Sequence, residues 1–362
     1  MKAQRFIEIL QKNDFSPIIG VPCSVFKNVL NYINDNQEIK HYICSSEGEA
    51  MGLAAGFAMS EKVPVVYMQN DGYGNVINPL SSLQLMNKLP ALLMISWRAE
   101  PGTKDAPQHK IMGETILELL TIFKIPYKII DDENTEESVR TAKDFCKEKS
   151  MPFALIVKKG VFEKYENKSI EKDEYCNRLE YLKILSKRID KKDVLLGTTG
   201  FSGRELYETV DHKGKFYMMG SMGCLASIGL GIAESHPKRN VYVLDGDGAL
   251  LMKMGTLSTV GFYEPKNLIH ICFDNNKYES TGGQGTTSET TNYSQVARAC
   301  GYKTIHNVNT PEEFIRITEC INEFKNPHFI HIRISTGTAD DLPRPSATPE
   351  EMRDKIVDFL KK

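Results

Sequence analysis

Several common features are missing from this sequence, and each absence narrows what the protein can be. No apolar run approaches the roughly 18 residues that a membrane-spanning helix needs. The 45 basic and 47 acidic residues leave a net charge of only -2, which argues against nucleic acid as the main partner. Eight cysteines are scattered singly with no Cys-x-x-Cys, so neither a zinc site nor a disulfide framework is indicated, and the thiols read as core residues of a cytoplasmic protein. Gly-x-Gly-x-x-Gly follows no predicted strand, which removes the dinucleotide-binding fingerprint. No short-period repeat is present. The N-terminal stretch Met1 to Asp14 sets Phe6, Ile7, Ile9 and Leu10 against Arg5 and Glu8, the pattern of an amphipathic helix and not of a signal peptide.

What is present is ordinary globular material. At 362 residues, 41% hydrophobic and 25% charged, the chain can bury sizeable cores and should hold two domains. Apolar strands alternate with helices from the start. Strands are expected at Pro17 to Pro22, Ile39 to Cys44, Val63 to Met68 and Pro90 to Ser96, with helices at Ser24 to Ile33 and Met51 to Ser60. The charge-rich stretch from Lys158 to Lys192 reads as a linker with a helix through Tyr175 to Ile189. Beyond it come strands at Asp193 to Leu196, Val241 to Leu244 and Leu268 to Phe273, and a small-residue helix at Leu225 to Glu234. This alternation predicts α/β architecture, two doubly wound parallel-sheet domains. The boundaries fall at residues 1–165, a linker at 166–190, and 191–362, and the two halves share an α/β plan.

The most informative stretch runs from Leu244 to Gln284. A buried strand ends in Asp245-Gly246-Asp247-Gly248, a helix is expected over Ala249 to Val260, and the next strand ends in Asp274-Asn275-Asn276-Lys277. A Gly-turn opening a helix suits an anion such as a diphosphate. Gly246 and Gly248 allow a sharp turn and close backbone approach to a ligand. Asp247 offers a carboxylate oxygen and Asn275 an amide oxygen at the same sheet edge, a donor set that suits Mg²⁺ together with phosphate oxygens. Thr198, Thr199 and Ser221 are further diphosphate donors by their hydroxyl and amide groups. In the first half, Glu47 stands where a strand leads into a helix of Gly52, Ala54, Ala55, Gly56 and Ala58, whose low bulk requires a close neighbour. A buried carboxyl there suits proton shuttling, while the helix dipole alone would explain Glu47 and Glu49 equally well. Two polar loops follow strand ends, Gln69 to Asn75 and Trp97 to His109, where open α/β sheets bind ligands. The second loop carries Arg98, Lys104 and His109.

Gly-Asp-Gly followed by Asn, with 26 residues between Gly248 and Asn275, resembles the signature of thiamine diphosphate enzymes. The resemblance implies metal ligation by Asp247, Asn275 and the Lys277 carbonyl, with Ala249 and Tyr278 completing the cofactor-binding turn. Gly56-Phe57-Ala58, nine positions after Glu47, resembles the Gly-Tyr-Ala that follows the activating acid of that family. It makes Glu47 the residue that hydrogen-bonds the pyrimidine N1′, and Met222 the prop for the bent cofactor. The motifs Gln-Asn-x-Gly-x-Gly-Asn from Gln69, Trp-Arg-x-Glu-Pro-Gly-x-Lys-Asp-x-Pro-Gln-His from Trp97, and Ser280-Thr281-Gly282-Gly283-Gln284, with Arg344-Pro345, resemble phosphonopyruvate decarboxylases. Asp71 and Tyr73 depart from that pattern, which usually has Ser and Leu. The implied fold is two thiamine diphosphate-binding domains without a central third domain. The implied function is Mg²⁺-dependent decarboxylation of an anionic 2-oxo acid, phosphonopyruvate. Sulfopyruvate decarboxylation, or another decarboxylase or carboligase activity on an anionic 3-substituted pyruvate, is the alternative. Asn70, Asp71, Tyr73, Arg98, Lys104 and His109 are the expected substrate residues. A homodimer or higher homo-oligomer with inter-subunit active sites is implied as well.

Overall fold

The computed structural model describes residues 1–166, 174–323, 326–338, 342–343 and 345–362. Residues 167–173 of the expected linker, and Arg344, lie outside them. The chain divides into two compact units, Met1–Ile170 with Thr281–Gly285, and Glu171–Ser280 with Thr286–Lys362.

The first unit is built on six strands: β1 (Phe15–Gly20), β2 (His41–Ile43), β3 (Val63–Gln69), β4 (Leu92–Trp97), β5 (Tyr127–Ile130) and β6 (Phe153–Lys158). They pair in parallel in the order β2-β1-β3-β4-β6-β5. The inner strands are continuous apolar runs because both faces of a parallel sheet are covered by helices. Alternation along each strand sends side chains to two cores. Val65, Tyr67, Leu92 and Met94 pack with Phe6 and Phe26 on one face. Val66, Met68, Leu93 and Ile95 pack with Ala54, Tyr73 and Ile116 on the other. The N-terminal helix Ala3–Lys12 buries Phe6, Ile7, Ile9 and Leu10, as its periodicity predicts.

The second unit carries β7 (Val194–Gly197), β8 (Lys215–Tyr217), β9 (Val241–Gly246), β10 (Leu268–Asp274), β11 (Thr304–Val308) and β12 (His328–Arg333). Their order is β11-β12-β10-β9-β7-β8, again parallel. Counted from the start of each unit, the two sheets have the same strand order. In both, the first and third strands are neighbours and the winding reverses between them, the place where such sheets bind ligands beyond their strand C-termini.

The structure departs from the sequence-based expectation at three places. The stretch Gln69 to Asn75 is not a loop: a turn of 3₁₀-helix at Asn70–Gly72 runs into the helix Tyr73–Pro79. Tyr73, Val76 and Leu80 recur at helical spacing and are fully buried, so core packing overrides the helix-breaking composition. The single helix expected over Ala249 to Val260 is two, Asp247–Met252 and Gly255–Tyr263. The break at Lys253 and Met254 sits beside Gly255, a weak helix former. The linker helix is shorter than expected, Arg178–Ser186, and starts where the Asn177 side chain accepts from the Glu180 amide. All eight cysteines are free, with Cys23, Cys44, Cys146 and Cys272 buried. Among the described residues no helix is long and apolar enough to cross a membrane.

Candidate active site

In the first unit, Glu47, Asn70, Asp71, Arg98 and His109 stand on segments that follow strand C-termini. Ser46 caps the helix Glu47–Met59 by accepting from the Glu49 amide. The two acids of its first turn then diverge. Glu49 turns outward, where its Oε2 accepts from the amide (2.9 Å) and the hydroxyl of Ser45. Glu47 is buried, at 5% exposure. Its Oε2 accepts from Asn75 Nδ2 at 2.7 Å, and Gly72 presses on the other oxygen so closely that a Cβ there would lie 2.3 Å from Oε1. A carboxyl enclosed in this way is suited to exchange a proton with a ligand and shielded from bulk water.

The two polar segments after β3 and β4 are stitched together. Asn70 donates from Nδ2 to the Arg98 carbonyl (2.9 Å) and accepts from the Arg98 amide (3.2 Å). Its amide therefore holds the two strand ends in place. Arg98 makes a two-pronged ion pair with Asp105, from Nε at 2.6 Å and Nη2 at 2.5 Å, and donates from Nη1 to Ser24 Oγ. Burial alone would raise the Asp105 carboxyl. The Arg98 hydrogen bonds and the amides of Ala106 and Ala99 outweigh it and hold the group well below the usual carboxylate range. Asp71 pairs with His109, Oδ2 to Nδ1, at 2.6 Å. Arg98 and His109 thus each face an acid of the same unit. Lys104 is exposed and has no acidic partner among the described residues. Tyr73 lies in the apolar core edge-on to Phe123, with its hydroxyl unpartnered among the described residues and burial pushing its phenol far up.

The second unit brings four strand ends to one edge: Thr198 and Thr199 after β7, Ser221 and Met222 after β8, Asp247 and Gly248 after β9, and Asn275 to Tyr278 after β10. Parallel register sets Cys272 beside Asp245 and Phe273 beside Gly246, so Asp247 and Asn275 leave adjacent strands together. Gly248 packs under the Tyr278 ring, where a Cβ would meet Cε1 at 2.5 Å. Gly223 packs against the Ala249 carbonyl, which a Cβ would meet at 2.9 Å. Asn275 accepts from the Lys277 amide (3.1 Å) and donates to Glu279 (3.3 Å), which fixes its amide. Thr199 is occupied, donating to the Met219 carbonyl at 2.6 Å. Ser221, in left-handed backbone with φ 50°, is exposed.

Two neighbouring carboxyls in this unit have opposite fates. Burial raises both. Asp274 receives His331 Nε2 at 2.8 Å and Arg333 Nη1 at 3.0 Å and ends below its ordinary value. Asp247 has no cation partner among the described residues. It is pushed up to about 7 by burial and then by the Asp274 charge, against a hydrogen bond from Thr286 Oγ1 at 2.7 Å. Among the described residues the buried Asp247 lacks a cation and the buried Thr198 hydroxyl lacks a partner, which fits a metal–diphosphate group: the metal would supply the missing positive charge, and the hydroxyl would donate to phosphate. Among the described residues no three His, Cys, Asp or Glu side chains are grouped to hold a metal. A metal at Asp247 would take most of its oxygens from an amide, a carbonyl and the diphosphate.

No role for Gly72, Asn75, Asp105, Asp274 or Thr286 is legible in the sequence. Gly72, Asn75 and Asp105 stand inside quoted motifs, so their positions were visible though their partners were not. Thr286 is 39 residues from Asp247 and carries no local signal.

Comparison with known proteins gives the family. Residues 2–117 match the family model for the N-terminal TPP binding domain of thiamine pyrophosphate enzymes, and residues 198–332 match that for the C-terminal TPP binding domain. The chain is 33% identical to phosphonopyruvate decarboxylase of Streptomyces viridochromogenes, covering 95% of this chain and 91% of that one. Against phosphonopyruvate decarboxylase of Streptomyces hygroscopicus it is 32% identical, covering 94% and 90%. Sulfopyruvate decarboxylase of Methanosarcina acetivorans is 28% identical, covering 99% and 97%. The chain belongs to the thiamine pyrophosphate enzyme family, as a carboxy-lyase of the branch that contains the phosphonopyruvate and sulfopyruvate decarboxylases.

Proposed function

We propose that this enzyme decarboxylates phosphonopyruvate to phosphonoacetaldehyde and CO₂ without oxidation, with thiamine diphosphate and Mg²⁺, in phosphonate biosynthesis in the cytoplasm. Likeness over nearly the whole length to two phosphonopyruvate decarboxylases carries the reading. When bound, thiamine diphosphate supplies the electron sink for loss of the carboxylate. Glu47 would exchange the proton that activates the pyrimidine end. Thr198, Thr199, Ser221 and the Gly246–Ala249 turn would hold the diphosphate, Met222 and Tyr278 would shape the cofactor pocket, and Asp247, Asn275 and the Lys277 carbonyl would hold the metal. Residues 1–165 would act as the pyrimidine-binding domain and 191–362 as the diphosphate-binding domain, with 166–190 linking them. A homo-oligomer is supported by the helix Glu47–Met59. Its Leu53 and Met59 are exposed, and its Gly52 and Gly56 have open space where a Cβ would stand.

The substrate anchor follows from charge. A phosphonate carries up to two negative charges and needs a cation not already neutralised. Lys104 meets that condition, with Arg98 as a second donor whose fork is shared with Asp105. CO₂ release should be measured on phosphonopyruvate, sulfopyruvate and pyruvate with cofactor and Mg²⁺ supplied. Phosphonopyruvate is expected to be strongly preferred, and Lys104→Ala to lose most of that preference. Equal or better turnover of pyruvate or sulfopyruvate refutes the assignment.

A further inference from the structure

The segment Asn70–Asn75 makes contacts in two directions. Gly72 and Asn75 close on the Glu47 carboxyl. Asp71, next to Gly72 in the chain, instead reaches His109, 2.6 Å from Oδ2 to Nδ1. His109 is 7% exposed and ends the 3₁₀ turn Pro107–His109, directly before the helix Lys110–Ile122. Its Nε2 lies 3.3 Å from the side-chain nitrogen of Gln108. A carboxylate only accepts hydrogen bonds. Nδ1 therefore keeps its hydrogen in either charge state of the ring, and every proton that His109 gains or loses passes at Nε2. The Gln108 amide nitrogen only donates, which matches Nε2 as the acceptor of a neutral ring.

We propose that Asp71 is a positioning residue for His109, and that His109 Nε2 is the atom that brings the product its proton. This rests on the decarboxylase reading above. Breaking the bond between the carboxylate and the carbonyl carbon releases CO₂ and leaves an electron pair at the former carbonyl carbon. One proton takes up that pair and becomes the aldehyde hydrogen. Nε2 delivers it and is reprotonated from water, so each turnover consumes one solvent proton. The acid opposite His109 then fixes which ring nitrogen carries the moving proton, and anchoring the phosphonate falls to Lys104 and Arg98.

The test has two arms on the full-length enzyme. With ¹⁵N-histidine labelling, ring-nitrogen correlation spectra report the tautomer directly, and His109→Gln identifies which signal belongs to His109. The wild type is expected to show the Nδ1–H form, and Asp71→Asn to populate the Nε2–H form. With saturating thiamine diphosphate and Mg²⁺, Asp71→Asn and His109→Gln should each lower kcat on phosphonopyruvate about 10²–10³-fold, within the range of general acid–base effects. KM should stay within about threefold, and the double variant should be no slower than His109→Gln, because the two residues act as a unit. Asp71→Glu, which keeps a carboxylate, should recover part of the rate. An Nε2–H ring in the wild type, an Asp71→Asn enzyme with near wild-type kcat, or a double variant that loses the product of the two single effects overturns the proposal. The spectra need no substrate. A wild type inactive on every 3-substituted pyruvate refutes the decarboxylase reading and the proton role with it, while the tautomer result separately decides the positioning by Asp71.

Discussion

Gly72 and Glu47 are in such close contact that a methyl group on Gly72 would stand 2.3 Å from Oε1 and 2.6 Å from Cδ of the carboxyl. The helix start Asn70–Gly72 is thus a wall of the Glu47 site. Gly72→Ala must displace the carboxyl or the helix turn. It should lower stability by about 1–3 kcal/mol, the usual cost of overpacking, and reduce decarboxylation as severely as loss of the acid itself. Denaturant unfolding and steady-state rates check this. A Gly72→Ala enzyme of normal activity would show that Glu47 need not sit where the structure has it.

The divergence of Glu47 and Glu49 gives a paired test. Glu47→Gln should leave cofactor binding intact and slow hydrogen–deuterium exchange at the cofactor C2 about 10²–10⁴-fold. Glu49→Gln should leave exchange unchanged and cost only helix-start stability, about 0.5–2 kcal/mol as for other caps. If the Glu49 variant is the one that slows exchange, the assignment of roles is reversed.

Asp247 is a buried acid without a cation among the described residues, so its removal relieves a burial cost and the fold should survive. Asp247→Ala is expected to abolish Mg²⁺-dependent thiamine diphosphate binding. Thr286→Val, which takes away the hydrogen bond to Oδ2, should weaken it about 10–100-fold, as for other partners of metal ligands. Calorimetry with cofactor and Mg²⁺ measures both. Wild-type affinity in Asp247→Ala would remove this residue from the site.

The Arg98–Asp105 pair sets a pH dependence. The folded Asp105 carboxyl lies below its ordinary value, so its contribution to stability is fully present above the unfolded value of about 4 and is lost as pH falls through the lower folded value. Asp105→Asn should therefore destabilise the protein at pH 7 by about 1–3 kcal/mol, the range for a charge-assisted hydrogen bond. That difference should shrink steadily below about pH 4. A difference that is constant down to pH 2 would mean that the charge of Asp105 does not matter. The experiment is urea unfolding of both proteins across that range.

The sequence by itself determined the class of fold, because continuous apolar strands alternating with helices can be buried on both faces only in a parallel sheet. It also placed the Asp247 and Asn275 ends, since a strand followed by a glycine turn is a local pattern. Glu47 could be separated from Glu49 only by likeness to a family, as both acids suit a helix start equally well. Tertiary structure decided what depends on residues far apart in the chain. It buried Tyr73 and turned a glycine- and asparagine-rich stretch into helix, because packing on the core outweighs local propensity. It gave Asp274 the partners His331 and Arg333 on the neighbouring strand, and Asp247 no cation among the described residues. It paired Asp71 with His109 across 38 residues and Arg98 with Asp105, which left Lys104 as the loop cation without an acidic partner among the described residues. Charges can be counted along a chain, but which of them neutralise one another is fixed only when the strands that carry them lie side by side.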